Sequence, residues 1–376
     1  MGLIIYGILC LLGFLRRKSK ILTFAMLSIM WIIYSLNTYT GDYYNYEHVY
    51  NSILNGYLFH EFEPLYTILM IIFRSLGFSF TQFRMVLGTI FIILLYKTIK
   101  CYTDSVPFVL SIYMVFPFLF FVSVLRAGIA SLIIAYSIKY LIKPDRRSTL
   151  KFIILIFLAA TIHFTSLFYL SLLLARKGKL KRRKLMVIFI LLAVLCVLYY
   201  SDTFYYIGQM VTDNYRLIKW FTPHAFDGTV QKIKWIIYEF VILAANIVIM
   251  KLTVRALDRC QIKNERTERF VILAYNMNIL LVLTVPMLIL SNVFMRWVWE
   301  ILLINICALV SVADLYNQSR NRGKPWYVVH VFRLAVLLIC WTGMMYLYAD
   351  RPYVGTVNEG IKVFENNLLF ENIKYE

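Results

Sequence analysis

Five ionisable residues stand out because each lies in or beside a long apolar segment: Asp42, Glu63, Arg126, His163 and Arg296. Ionisable groups at membrane depth are costly, so residues of this kind are functional candidates by default. A carboxylate or an imidazole can exchange a proton during a reaction, and a guanidinium binds the oxygens of an anion through two hydrogen bonds. Together the five residues predict a site that handles both protons and negative charge.

The two carboxylates also have structural interpretations. Glu63 directly precedes Pro64, and a carboxylate before a proline favours the start of a helix. Asp42 lies in a tyrosine-rich turn that could simply end a membrane span. Neither interpretation excludes a chemical role, and the sequence leaves both open.

The basic candidates have structural alternatives as well. Arg126 stands at a predicted helix start and could extend its side chain to phosphate headgroups. His163 could be a structural residue at a break between two helices, with the hydrogen bonds of its ring satisfied. Arg296 could pair with Glu300, which lies one helical turn later on the same face.

The composition places these residues in a membrane protein. Apolar residues make up 61% of the 376-residue chain and charged residues 16%, against about 45–50% and about 25% in soluble domains. Crossing the hydrocarbon takes about 20 apolar residues in a helix, and the alternating pattern of a barrel is absent. We therefore predict one all-α integral membrane domain over residues 1–376.

Hydropathy predicts a polytopic bundle of about 12 membrane-spanning helices. The predicted spans are residues 3–15, 21–37, 82–99, 105–122, 124–142, 149–162, 164–176, 185–200, 233–252, 270–290, 294–313 and 327–347. The first span is not a cleavable signal, because positive charges follow it and none precedes it. The six cysteines are interpreted as small buried apolar residues.

Positive charge decides how the remaining apolar segment, residues 64–78, is placed. If it does not cross the membrane, most of the 39 lysines and arginines fall in cytoplasmic loops. If it crosses, the basic segment 176–184 is placed outside. We therefore predict an interfacial helix on the outer side and two short helices that break near His163.

This topology predicts two outer loops, residues 38–81 and 201–232, and an outer carboxy-terminal tail, residues 349–376. The net charge of +19 then lies mainly on the cytoplasmic face, where it orients the protein and contacts anionic lipid. It therefore requires no nucleic-acid partner.

Several common chemistries have no sequence signature here. The chain contains no P-loop, no G-x-G-x-x-G, no G-x-S-x-G and no H-E-x-x-H motif. Its five histidines lack the spacing of metal ligands. We expect no cofactor and no metal, and neither ATP-driven transport nor zinc hydrolysis.

Four of the candidates lie in short motifs that follow one another in a fixed order along the chain. An Asp-Tyr-rich turn at Asp42 is followed by Glu-Pro-Leu-Tyr at Glu63, by Leu-Arg-Ala-Gly at Arg126 and by Thr-Ile-His-Phe-Thr-Ser at His163. This order resembles the EpsG-like branch of the Wzy-type polysaccharide polymerases. The motifs cover residues 1–176, hydropathy covers the rest, and Phe-Met-Arg at Arg296 is a weaker match. Ala127 stands where the family usually has glutamine.

The resemblance implies a fold and a reaction. The fold is that of a GT-C-like membrane glycosyltransferase in the bacterial cytoplasmic membrane. The reaction transfers a growing glycan from undecaprenyl pyrophosphate to the non-reducing end of a new lipid-linked repeat unit on the outer face. A flippase and a chain-length regulator are its expected partners.

The resemblance also suggests residue roles. Arg126 and Arg296 would bind the pyrophosphate, because arginine stays charged and binds planar oxygens. Glu63 is the first candidate for the base that deprotonates the acceptor hydroxyl, Asp42 is the second, and His163 would orient a substrate. Sugar rings could stack on outer tyrosines: Tyr43, Tyr44 and Tyr66.

Two other functions are weighed against polymerisation. A ligase that moves finished glycan from the same carrier would need the same arginines. A flippase of lipid-linked sugars would be expected to show repeated halves and broken helices at the midplane. The sequence shows no such repeat, and the candidates cluster on the outer side.

Overall fold

A computed structural model describes residues 2–38, 40, 42–55, 61–143, 145–176, 203–211, 229–260, 264–284, 296–318 and 363–372, with a few helical residues between 183 and 198. These ranges are helical apart from turns and one isolated bridge between Asn37 and Asn367, which confirms the predicted all-α class there. Most of the predicted span 185–200, all of 327–347, and most of the segments 201–232 and 349–376 lie outside the described residues.

The first half of the chain supplies the helices that surround the candidate residues. They are α1 (Gly2–Leu15), α2 (Lys20–Leu36), α3 (Tyr43–Ser52), α4 (Pro64–Ser75), α5 (Phe80–Tyr102), α6 (Val106–Tyr113), α7 (Leu119–Ser123), α8 (Leu125–Leu141), α9 (Arg146–Ala160) and α10 (Leu172–Ala175). A 3-10 helix, Phe164–Ser171, joins α9 to α10.

The second half of the chain supplies the other described helices. They are α11 (Thr203–Val211), α12 (Thr229–Asp258), α13 (Glu265–Leu280), α14 (Arg296–Glu300), α15 (Leu302–Gln318) and α16 (Leu368–Asn372). The predicted span 270–290 extends past the end of α13, because Leu281–Thr284 is a 3-10 helix and residues 285–290 lie outside the described ranges.

Four helical stretches of the described ranges are long and apolar enough to cross a bilayer: Phe80–Tyr102, Val106–Ser123, Phe240–Asp258 and Arg296–Gln318. The chain is therefore a membrane protein. Helix α4 has 12 residues and is about 18 Å long, which is less than the roughly 30 Å of hydrocarbon. This length permits the interfacial placement of residues 64–78, which stays a prediction.

Two predicted spans differ from the observed elements. The predicted span 105–122 matches the stretch Val106–Ser123, but this stretch is kinked, because Phe116 is extended (φ −165°, ψ 136°) before Pro117. Proline disfavours helical geometry in the preceding residue and donates no backbone hydrogen bond. Residues 164–176 form a 3-10 helix before α10, whereas the predicted break near His163 is confirmed by the end of α9 at Ala160. Helix α3, inside the predicted outer loop, was not predicted.

Helices α2, α5, α8 and α9 pack side by side in that order, and α12, α13 and α15 pack as a second group. Helix α1 lies directly against α6. A Cβ atom on Gly13 would lie 2.7 Å from the carbonyl oxygen of Pro107, so only glycine permits this backbone contact. Small residues at helix contacts are typical of membrane bundles. The apolar first segment is thus an integral part of the bundle.

Candidate active site

Three of the predicted residues meet in one cluster. The Glu63 carboxylate forms an ion pair through Oε2 with Nη1 of Arg126. Its other oxygen, Oε1, lies 3.3 Å from Nδ1 of His163 and accepts a hydrogen bond from the backbone N–H of Phe164 at 3.1 Å. These residues come from the start of α4, the start of α8 and the break after α9.

Helix ends hold the cluster in place. Glu63 occupies the N-cap position of α4, but its side chain makes no capping hydrogen bond to that helix. It caps the 3-10 helix instead, through Phe164. The extended backbone of His163 (φ −151°, ψ 107°) begins this helix. A backbone hydrogen bond of 2.9 Å from Leu65 to Thr161 joins the start of α4 to the end of α9.

Aromatic rings surround the Arg126 guanidinium. Its central carbon lies 4.3 Å from the ring centre of Phe62, 5.7 Å from that of Tyr46 and 5.9 Å from that of Tyr66. Nε also donates to the Tyr46 hydroxyl at 3.3 Å. Cation–π contacts and a paired carboxylate stabilise a partly buried cation. Arg126 is therefore held inside the protein by one carboxylate and three aromatic rings, and the alternative contact with headgroups stays untested.

Electrostatics fixes the charge of Glu63. Burial acts to raise the pKa of its carboxyl, but the contact with His163 and the positive charge of Arg126 outweigh this and lower it from 4.5 to about 2. Glu63 is therefore ionised at every physiological pH.

His163 is held in the opposite state. Its side chain is only 6% exposed, and burial lowers the pKa of the imidazole below 6.5, with Glu63 opposing the shift. The ring is therefore mainly neutral at pH 7. Neither ring nitrogen has a well-formed hydrogen bond to the residues described. A buried imidazole with an unused lone pair can accept a proton from a substrate.

Helix α14 brings Arg296 near this cluster. The indole of Trp297 donates to the Thr165 carbonyl at 3.1 Å, which ties α14 to the 3-10 helix. The positive charge of Arg296 disfavours protonation of His163. The alternative, an ion pair of Arg296 with Glu300, does not occur among the described residues, and Glu300 accepts a 2.8 Å hydrogen bond from Tyr169.

Of the remaining predicted residues, Tyr66 contacts the Arg126 guanidinium through its ring. Asp42 occupies the N-cap position of α3 and makes neither a hydrogen bond nor an ion pair with Glu63, Arg126 or His163. The proposed stacking rings differ in exposure: Tyr44 is 66% exposed, whereas Tyr43 and Tyr66 are buried.

Sequence reasoning missed three residues near the site. Tyr46 and Phe62 contact the Arg126 guanidinium directly. Arg84 is buried, donates to the Tyr34 carbonyl at 2.7 Å and lies 5.3 Å from the ring of Tyr43. The sequence signal for Arg84 is the same as for the other candidates, because it is a charged residue inside the predicted span 82–99.

The site contains carboxylate, imidazole and guanidinium groups. Among the residues with described positions, no group of three or more His, Cys, Asp or Glu side chains could hold a metal ion.

A model of the EpsG family matches residues 20–351, and this range includes all five ionisable candidates. No curated protein and no solved structure matches the chain.

Proposed function

Because that match spans residues 20–351, the chain belongs to the EpsG family, a family of polysaccharide polymerases, and we propose that it extends a surface polysaccharide on a lipid carrier. The observation that carries the proposal is the partly buried contact of Glu63 with both Arg126 and His163. A diphosphate leaving group needs a fixed cation, and a hydroxyl nucleophile needs a nearby base. This cluster offers both.

The proposed reaction joins two lipid-linked glycans. The bond between the anomeric carbon of the growing glycan and its undecaprenyl pyrophosphate breaks. A bond forms from that carbon to a hydroxyl at the non-reducing end of the new repeat unit. The proposal places this step at the outer face of the bacterial cytoplasmic membrane, in a GT-C-like bundle of about 12 spans.

The arginines would act on the leaving group. As the bond breaks, negative charge develops on the pyrophosphate, and preorganised cations stabilise charge most effectively in a site that excludes water. Arg126 is already oriented by Glu63 and by the surrounding rings. Arg296 is the proposed second cation, since its charge already acts at His163.

The geometry favours His163 over Glu63 as the base. Both Glu63 oxygens are engaged, and a carboxyl with a pKa of about 2 accepts a proton weakly. Neutral His163 can take the hydroxyl proton on Nε2 while Glu63 stabilises the imidazolium that results. Glu63 is then a positioning residue. Asp42 stays an alternative base that substrate binding would have to bring closer.

Reconstitution with one substrate tests the polymerase proposal. Purified protein and a defined lipid-linked repeat unit should give a ladder of products, because this unit serves as both donor and acceptor. A ligase would need a different acceptor, and a flippase would leave the unit unextended. If correctly folded wild-type protein left only single repeat units, this result would contradict polymerisation.

Arg126→Ala should lower the rate of extension at least about 100-fold, the usual loss when one group that stabilises developing charge is removed. Arg126→Lys should recover part of it. Arg146→Ala removes an exposed arginine at the start of α9 and serves as the control. A wild-type ladder from Arg126→Ala protein would exclude the proposed role.

A further inference from the structure

A second candidate binding site lies at the carboxy-terminal end of α5. The cluster around Glu63 lies near the amino-terminal end of this helix, where Tyr66 packs on Phe83. A cleft of about 550 Å³ opens between the start of α2, the end of α5 and the start of α6. The basic residues that line it are Lys18, Lys20 and Lys100, and its apolar residues include Phe24, Leu27 and Tyr96. Helix α5 has 23 residues and is about 34 Å long. The cleft is therefore far from Glu63.

The cleft carries net positive charge, because three lysines and one carboxylate line it. The carboxylate, Asp104, forms an ion pair with Lys100 and also attracts Lys18 at longer range. In the described parts of the chain, neither Lys18 nor Lys20 forms an ion pair. The start of α2, capped by Ser19, adds the positive end of a helix dipole. An anion would bind here without displacing a carboxylate from either lysine.

One wall of the cleft is apolar and open. The Phe24 side chain is 74% exposed and that of Tyr96 is 40% exposed. Ile21, on the same helix, is 85% exposed. Exposed apolar side chains next to lysines match a molecule that has both an anionic group and a hydrocarbon chain. A free phosphate ion would leave the apolar wall unused.

We propose that this cleft binds an anionic phospholipid, with its phosphate between Lys18 and Lys20 and an acyl chain along Phe24 and Leu27. Both flanking basic segments, residues 16–20 and 97–104, are assigned to the cytoplasmic side by the distribution of lysine and arginine. The lipid would thus come from the leaflet that carries most anionic headgroups. This inference does not depend on the polymerase proposal.

Native mass spectrometry of the purified full-length protein tests the site. The protein is exchanged into mixed micelles with phosphatidylglycerol or phosphatidylcholine of identical acyl chains, and retained lipids are counted. Wild type should retain one phosphatidylglycerol molecule more tightly than phosphatidylcholine. A cation near an anionic lipid surface contributes about a fivefold change in affinity, so Lys18→Gln with Lys20→Gln should weaken retention about 25-fold.

Matched variants separate this site from general charge effects. Lys18→Arg with Lys20→Arg should retain the lipid, because the charge is kept. Lys143→Gln with Lys151→Gln removes equal charge from exposed lysines around the start of α9 and should behave like wild type. The proposal would be overturned if this control lost as much lipid as Lys18→Gln with Lys20→Gln. It would also be overturned if Lys18→Gln with Lys20→Gln lost no lipid.

Two further measurements distinguish a bound phospholipid from a soluble anion. Phe24→Ala changes an exposed side chain and should weaken lipid retention without disturbing the core; unchanged retention would contradict the placement of the acyl chain. Phosphatidylglycerol should raise the midpoint of thermal unfolding of wild type more than inorganic phosphate does. Equal stabilisation by inorganic phosphate would assign the cleft to a soluble anion.

Discussion

Glu63 uses both oxygens of its carboxylate within the protein. One oxygen pairs with Arg126, and the other contacts Phe164 and His163. A single side chain thus sets the position of a guanidinium, an imidazole and the first turn of the 3-10 helix. Its replacement should change stability, pH dependence and activity together.

Glu63→Gln should lower stability by about 3 kcal/mol near pH 7, because it leaves the partly buried Arg126 charge without its counter-ion. In wild type, the carboxyl has a pKa of about 2 when folded, against 4.5 ordinarily. Its contribution to stability is therefore complete above about pH 5 and is lost as the pH falls from 4.5 towards 2. Thermal unfolding in detergent across this range measures both effects.

The control for this prediction is Glu268→Gln, which changes an exposed glutamate in the first turn of α13. Its stability should follow the wild-type pH curve. If Glu63→Gln keeps the wild-type acid-dependent loss of stability, another carboxylate is responsible. If Glu63→Gln also polymerises at the wild-type rate, Glu63 does not position the reacting groups.

The sequence identified the charged residues of the site better than their partners. Glu63, Arg126 and His163 were predictable because each is an ionisable group beside an apolar segment. Their contacts were not, because an ion pair between residues 63 apart in the chain depends on how α4 and α8 pack. Phe62 lay next to Glu63, but nothing in its type indicated a cation–π contact.

At the scale of helices, three asparagines connect α12, α13 and α15. Asn305 donates to Asn246 at 3.1 Å and to Asn278 at 3.0 Å, and Asn278 donates back to Asn305 at 2.8 Å. All three side chains are buried. Interhelical amide hydrogen bonds of this kind fix which helix faces meet in an apolar environment.

Asn305→Leu should destabilise the protein by about 1–2 kcal/mol, because it leaves two buried amides without their shared partner. The midpoint of thermal unfolding in detergent should fall by a few degrees. Ser311→Ala, on the same helix, removes a hydroxyl whose hydrogen bond, among the residues with described positions, goes to the Ala308 carbonyl one turn earlier. Equal shifts in the two variants would show that the asparagine network adds no specific stability.

Helix positions followed from hydropathy, whereas local geometry did not. Predicted spans 3–15 and 21–37 correspond closely to α1 and α2. The 3-10 geometry of Phe164–Ser171 was missed, since an apolar segment of this length predicts a helix without specifying its type. Helix α3 was missed because its polar, tyrosine-rich sequence resembles a loop.

For the whole molecule, α5 separates two chemically different ends. The acidic and basic cluster around Glu63 lies near its amino-terminal end, where Tyr66 packs on Phe83. The lysine-lined cleft lies at its carboxy-terminal end, where Lys100 is located. In the predicted topology, which stays a prediction, the cleft faces the cytoplasm and the cluster faces outward.

Cysteine labelling from outside the cell tests that orientation. The exposed positions Ser75, at the end of α4, and Lys97, near the end of α5, are replaced singly by cysteine in a variant without the six native cysteines. A membrane-impermeant maleimide should label Ser75→Cys in intact cells and Lys97→Cys only after permeabilisation. The opposite pattern would invert the topology and place the cluster inside.

The ion pair between Glu63 and Arg126 also bears on turnover. In the proposed reaction, an incoming diphosphate would compete with an internal carboxylate for the same guanidinium, so part of its attraction would be offset before it arrives. The same competition would help to expel the spent carrier after transfer, when Glu63 regains its partner. An arginine without this neighbour would then hold the carrier longer and slow each cycle of elongation.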